Sequence, residues 1–152
     1  MTRIINGYQV KLDSEDEHFL NEYRWVPVVT GRSKTTYLRS CVRRGVYIYF
    51  HRIVIIPEKG KDIDHIDGNG LNNIKSNLRI CTHAQNLFNR GKNKNNTSGF
   101  KGVVWYPRTS KWKAQIMYQR KMFHIGLFST PEEASEAYKN RAIQLFGEFA
   151  KW

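Results

Sequence analysis

DIDHIDGNGLNNIKSNLRICTHAQNLFNR, residues 62–90, packs acids, imidazoles and amides at unusual density. Asp64 and His65 are adjacent. A turn-rich run follows, Asp67-Gly68-Asn69-Gly70 and then Asn72-Asn73. Asn77 opens a short strand-like run from Leu78 to Cys81, and Thr82 to Arg90 reads as a helix carrying His83 and Asn86. The order is strand, turn, strand, helix. Such a unit can bring Asp64, His65 and Asn86 to one point.

A carboxylate oxygen from Asp64 and an amide oxygen from Asn86 suit a hard cation such as Mg²⁺, which keeps several waters and shares its shell with phosphate oxygens. His65, with an ordinary pKa near ~6.5, suits a general base acting on water at neutral pH. Together they spell phosphodiester hydrolysis, the ion polarising the phosphate and stabilising the leaving oxygen. Taken one residue at a time, the blander reading is open: Asp-His pairs are common in loops, and Asn-Gly runs usually just make turns. His83, three residues before Asn86, shares its helix face; it either lines the metal site or sits on the helix surface.

The stretch resembles the HNH, or ββα-metal, endonuclease motif, matched as Asp64-His65, Asn77 and Asn86. The resemblance implies His65 as general base and Asp64 and Asn86 as ligands of Mg²⁺ or Mn²⁺. It implies Asn77 as the residue whose amide ties the loop so that His65 is aimed. His51-Arg52, upstream, also recurs in this subgroup. The pair either packs beside the metal site and holds a phosphate, or His51 is a core histidine with its hydrogen bonds satisfied.

The 152 residues carry a net charge of +12 and a pI near 9.9, the electrostatic footprint of a polyanion binder. Lys and Arg outnumber Asp and Glu on both sides of residue 95, so both parts suit one polyanion. No apolar run approaches the ~20 residues of a membrane span, and the N-terminus has no signal pattern. Cys41 and Cys81 stand apart, so neither a disulfide framework nor a four-ligand zinc site is expected. The reading is a reducing cytoplasm, of a bacterial or phage-infected cell, with both cysteines buried as small apolar residues.

Ahead of the motif the pattern is small mixed α/β. Ile4 to Leu12 has strand character, Ser14-Glu15-Asp16-Glu17 reads as a capping box opening a helix, and three strands follow: Trp25 to Val29, Thr36 to Val42 and Val46 to Phe50. Gly31 and Gly45 mark turns. Arg39, Arg43 and Arg44 either touch phosphates or are edge charges that discourage strand pairing. A short apolar helix opens at His51. Residues 88–99 are polar and basic, with Arg90, Lys92 and Lys94 placed to follow a DNA backbone, and they read as the boundary between two modules.

From Phe100 the pattern becomes three alternating runs (100–106, 111–118, 121–128) and a helix opened by Thr130-Pro131-Glu132-Glu133 and closed by Gly147. Alternation points Trp112, Ala114, Ile116, Phe123 and Ile125 at the helix, and Lys113, Gln115, Met117, Met122 and His124 away from it. The segment resembles the AP2 DNA-binding domain in Phe100-Lys101-Gly102-Val103, Lys111-Trp112-Lys113-Ala114, Ile125-Gly126-Leu127-Phe128, Pro131-Glu132-Glu133-Ala134 and Gly147-Glu148-Phe149-Ala150. The resemblance implies DNA contacts at Lys101, Val104, Tyr106, Arg108, Gln115, Met117, Met122 and His124, with Lys113 on the same face. Plant-type members carry arginines and a tryptophan at many of these positions; here Lys101, Tyr106, Arg108, Gln115 and His124 keep polar reach.

The expectation is an α+β chain: an HNH domain over residues 1–90, a basic linker over 91–98, and over 99–152 an AP2-like three-stranded antiparallel sheet with a helix. The two resemblances together look like the mobile, homing-type HNH–AP2 endonucleases of phages and bacteria. The expected activity is metal-dependent cleavage of double-stranded DNA, with no zinc, no membrane and no required protein partner. The alternative is a non-catalytic DNA-binding regulator.

Overall fold

Asn6 and Gly7, both at positive φ (48° and 82°), fold the first strand-like run back on itself. The run is therefore a hairpin, β1 Thr2–Ile5 with β2 Tyr8–Lys11, rather than one strand, and the Asn-Gly pair is its sequence signal. The computed structural model describes residues 1–30, 35–89, 91–92 and 95–152. Gly31, Arg90 and Lys94 lie outside the described residues. The chain divides into two compact units, Met1–Asn86 and Leu87–Trp152.

In the first unit the capping box expected at Ser14 does not form. A 3₁₀ turn, Ser14–Asp16, and a short helix, α1 Phe19–Glu22, stand there instead. The Asp13 carboxylate turns away to accept from Lys75 N at 2.8 Å, a long-range bond that local pattern does not reveal. Three antiparallel strands follow in the order β3 Trp25–Thr30, β4 Thr35–Arg43, β5 Val46–Tyr49. Leu38 and Ser40 take the buried face of β4, so alternation turns Cys41 outward, against the burial expected of it, whereas Cys81 is buried. The core gathers Val10, Leu12, Trp25, Leu38, Phe50 and Leu71. Phe50 opens the helix α2 Phe50–Val54 and is fully buried, so core packing also fixes where His51 and Arg52 project. The motif unit follows as β6 Asp62–His65, antiparallel to β7 Leu78–Cys81, then α3 His83–Phe88.

The second unit is a three-stranded antiparallel sheet in the order β10-β9-β8: β8 Val103–Tyr106, β9 Lys111–Tyr118, β10 Lys121–Phe128. The helix α4 Pro131–Phe146 packs on one face. Its start is fixed by a capping box between Thr130 and Glu133. Val103, Ala114 and Ala134 are buried where helix and sheet meet. Phe123, expected under the helix, is 41% exposed. It does pair with buried Ile116, but only two pairs from the turn end of the hairpin, at the edge of the helix's cover. No helix among the described residues is long and apolar enough to cross a membrane.

Candidate active site

The β6–β7 ladder sets Asp62 opposite Cys81, Asp64 opposite Arg79 and His65 opposite Leu78. Strand alternation puts Asp62 and Asp64 on one face. Their fates differ. Asp64 is buried, and its Oδ2 accepts from Arg79 Nε at 2.9 Å and Nη2 at 2.7 Å. Asp62 is more open. Its Oδ2 meets His83 Nδ1 at 3.0 Å and accepts from Asn86 Nδ2 at 3.3 Å, and Arg52 Nη2 stands 3.9 Å from its Oδ1. The His83 hydrogen bond, with that of Asn86, holds the Asp62 carboxyl below the usual carboxylate range, so it is ionised at neutral pH.

Asn86 reaches this point because the start of α3 is fixed. Gln85 N donates to Thr82 Oγ1 at 3.2 Å, and Thr82 N donates back to Gln85 Oε1 at 2.8 Å. That is a reciprocal cap whose Thr-x-x-Gln signature stands in the sequence. Asn86 and Asp62 share a cleft with Arg52, His51, Tyr37 and Tyr49.

His51 and His65 are both buried. Their rings lie 5.1 Å apart, nearly perpendicular at 81°. Tyr37 touches both, at 5.5 Å from His51 and 5.7 Å from His65. On its other side, His65 Nε2 lies 3.3 Å from Oδ1 of Asn73, a fully buried residue. Burial pushes the His51 imidazole down to about 3, with the neighbouring His65 and Arg52 adding to it. Burial also lowers His65, opposed by the Asn73 hydrogen bond and by Asp67 and Asp64. Both rings are therefore neutral at pH 7, the form a base requires.

Asn77 closes the loop between the strands. Its Nδ2 donates to Asn72 O at 2.8 Å and Asp67 Oδ1 at 3.0 Å, and its Oδ1 accepts from Asp67 N at 3.1 Å. The side chain that touches His65 is Asn73, held in turn by its backbone N–H on Lys11 O at 2.7 Å. Sequence reading passed over Asn73 and Asp62. The Asn72-Asn73 pair was visible but read as turn, and Asp62 was a signal only through its i,i+2 relation to Asp64.

The oxygen donors beside the cleft, Asp62 and Asn86, fit a hard divalent cation. Among the described residues no three His, Cys, Asp or Glu are gathered to hold a metal. An ion here would thus draw on few protein ligands and keep water or phosphate oxygens, as Mg²⁺ does.

In the second unit, Arg108 and His124 are exposed and Gln115 half-exposed. The Lys113 ammonium lies 5.4 Å from the centre of the Tyr106 ring. Lys101 departs from the expectation of a DNA contact. Its Nζ donates to Phe88 O at 2.9 Å and Lys151 O at 2.8 Å, and burial lowers its pKa to about 8. It ties the two ends of this unit together.

The family described as HNH endonuclease matches residues 49–87, which include α2, β6, β7 and most of α3. Protein 3.8 of Escherichia phage T7 is 35% identical over 94 residues, 62% of this chain and 77% of that protein. An uncharacterised HNH endonuclease of Acanthamoeba polyphaga mimivirus is 32% identical over 133 residues, 86% of this chain and 67% of that protein. An ethylene-responsive transcription factor of Medicago truncatula is 33% identical over 79 residues, 51% of this chain and 29% of that protein. No solved structure matches the chain.

Proposed function

The chain belongs to the HNH endonuclease family, and we propose that it hydrolyses phosphodiester bonds of double-stranded DNA with a divalent metal, brought to its substrate by the C-terminal sheet. The observation that carries this reading is the convergence of Asp62, Asn86, Arg52 and His51 on one open cleft, with His83 hydrogen-bonded to Asp62 and the neutral ring of His65 packed against His51. An active-site cleft explains that gathering of an ionised carboxylate, an amide and a guanidinium; turn formation alone does not.

Asn86 and Asp62 would hold the ion, with Asp64 one pleat away on the same face of β6. The chemistry such an ion supplies when bound is polarisation of the phosphate and stabilisation of the leaving oxygen. His65 accepts a proton from the attacking water as the new oxygen–phosphorus bond forms and the scissile phosphorus–oxygen bond breaks, its electron pair leaving on the departing oxygen. Arg52, which lies against Asp62, carries the second positive charge of the cleft and can bind a non-bridging phosphate oxygen. The +12 charge holds the polyanion near the site. One ββα site cuts one strand, so a single copy nicks.

The second reading, a DNA-binding regulator without cleavage, draws on the resemblance to transcription factors and leaves the cleft without a use. Supercoiled plasmid incubated with magnesium separates the two: conversion to nicked circles that stops with EDTA and with His65→Ala supports cleavage, and tight binding with no nicking on any DNA supports the regulator.

A further inference from the structure

The sheet of the C-terminal unit has two unlike faces. Val103, Ala114 and Ile116 are 1, 0 and 2% exposed beneath α4. On the other face Val104, Met117 and Met122 are 37, 55 and 53% exposed. Met117 and Met122 stand opposite each other across the β9–β10 ladder, Gln115 stands opposite His124, and Val104 opposite Lys113. The apolar centre is thus framed by an amide, an imidazole and an ammonium. No acidic residue occurs between Gly99 and Pro131, whereas Lys101, Arg108, Lys111, Lys113, Arg120 and Lys121 all do.

An exposed apolar cluster on a flat sheet marks a partner surface, and its acid-free surroundings select a polyanion. The major groove of DNA admits strands, and the 5-methyl of thymine is the apolar group displayed there. Methionine, flexible and polarisable, adapts to such a contact. We propose that this face reads thymine: Val104, Met117 and Met122 pack on thymine methyls in the major groove while Lys113, Gln115 and His124 hold neighbouring phosphates and base edges. The inference rests on the DNA-cleaving reading above and gives it a base preference: thymine-rich sites are bound in preference to sites made only of G·C pairs.

The test compares two A·T-rich duplexes that differ only in deoxyuridine for thymidine, bound to the full chain in EDTA and followed by fluorescence anisotropy. The expected result is weaker binding of the uridine duplex, about four-fold per contacted methyl. Met117→Ala with Met122→Ala should weaken binding to the thymidine duplex and erase the difference. Met117→Leu with Met122→Leu, which keeps the face apolar, should preserve it. Equal affinity of the natural chain for both duplexes, or no binding to either, overturns the proposal. So does a difference that survives in the alanine pair, or an alanine pair that alters only self-association in light scattering. Metal-dependent plasmid nicking is measured separately. Nicking without methyl discrimination sinks this inference alone, and discrimination without nicking sinks the cleavage reading alone.

Discussion

Oδ1 of Asn73 sits 3.3 Å from Nε2 of His65, and Asn73 is fully buried, its backbone N–H held by Lys11 O. An amide oxygen in that place favours the tautomer with the proton on Nε2, and so sets the ring for the role of base proposed above. Asn73→Ala should slow nicking about ten- to hundred-fold, the usual effect of removing a group that orients a catalytic side chain. It should also cost about 1–3 kcal/mol of stability, because a buried imidazole loses one of its hydrogen-bond partners. Plasmid nicking rates beside thermal melts check both, and a variant that melts and cuts like the parent removes Asn73 from the role.

His51 predicts an acid-sensitive fold. Its pKa in the folded chain is about 3, against an ordinary value near ~6.5 in the unfolded chain. Between those values the unfolded chain binds a proton that the folded chain refuses, so stability falls as pH drops, by at most about 1.4 kcal/mol per pH unit from this group. The lowered pKa of His65 acts in the same direction. His51→Phe keeps a ring against His65 and Tyr37 but cannot titrate. Melting temperatures from pH 7 to pH 4 should fall more steeply for the parent than for this variant, and parallel curves would contradict the assignment.

The two acids of β6 should respond differently to neutralisation. Asp62→Asn and Asn86→Ala should each raise the magnesium needed for half-maximal nicking by about ten-fold or more and weaken Mn²⁺ binding read by electron paramagnetic resonance. Neither should shift the melt much, since Asp62 is partly open. Asp64→Asn breaks an ion pair in which Asp64 and Arg79 are 6% and 13% exposed at the side chain, and should cost about 3 kcal/mol. A stable Asp64→Asn protein with a raised metal requirement would instead make Asp64 the principal ligand.

Gly70 links the loop to the site through space alone. A Cβ there would lie 2.5 Å from Thr36 O and 2.6 Å from the Tyr37 ring, and Tyr37 packs on both histidines. Gly70→Ala should destabilise the chain by about 1–3 kcal/mol and lower nicking, because Tyr37 must move from the rings it supports. Urea melts and nicking rates read the two effects together.

Much of the architecture is local and so was legible. Strand alternation, the Thr130-Glu133 cap and the strand–turn–strand–helix order of residues 62–88 follow from neighbours within a few positions, and the strands and helices stand close to where pattern puts them. The hairpin at Asn6-Gly7 is equally local, its Asn-Gly turn pairing β1 with β2. At Ser14 a 3₁₀ turn stands in place of the capped helix, and Asp13, at its N-terminal end, gives its carboxylate to Lys75 N, a partner from the far side of the unit.

The sequence by itself determined that residues 62–88 form a ββα unit rich in metal- and proton-handling groups, because hydrophobic period and turn chemistry act over short distances along the chain. Only the tertiary structure decided which of those groups meet. Asp62 rather than Asp64 stands on Asn86, Asn73 touches His65 while Asn77 closes the loop, and Lys101 is spent on two backbone carbonyls. Each outcome turns on which polar group is nearest once apolar side chains are buried. Packing sets that competition, and sequence separation does not record it.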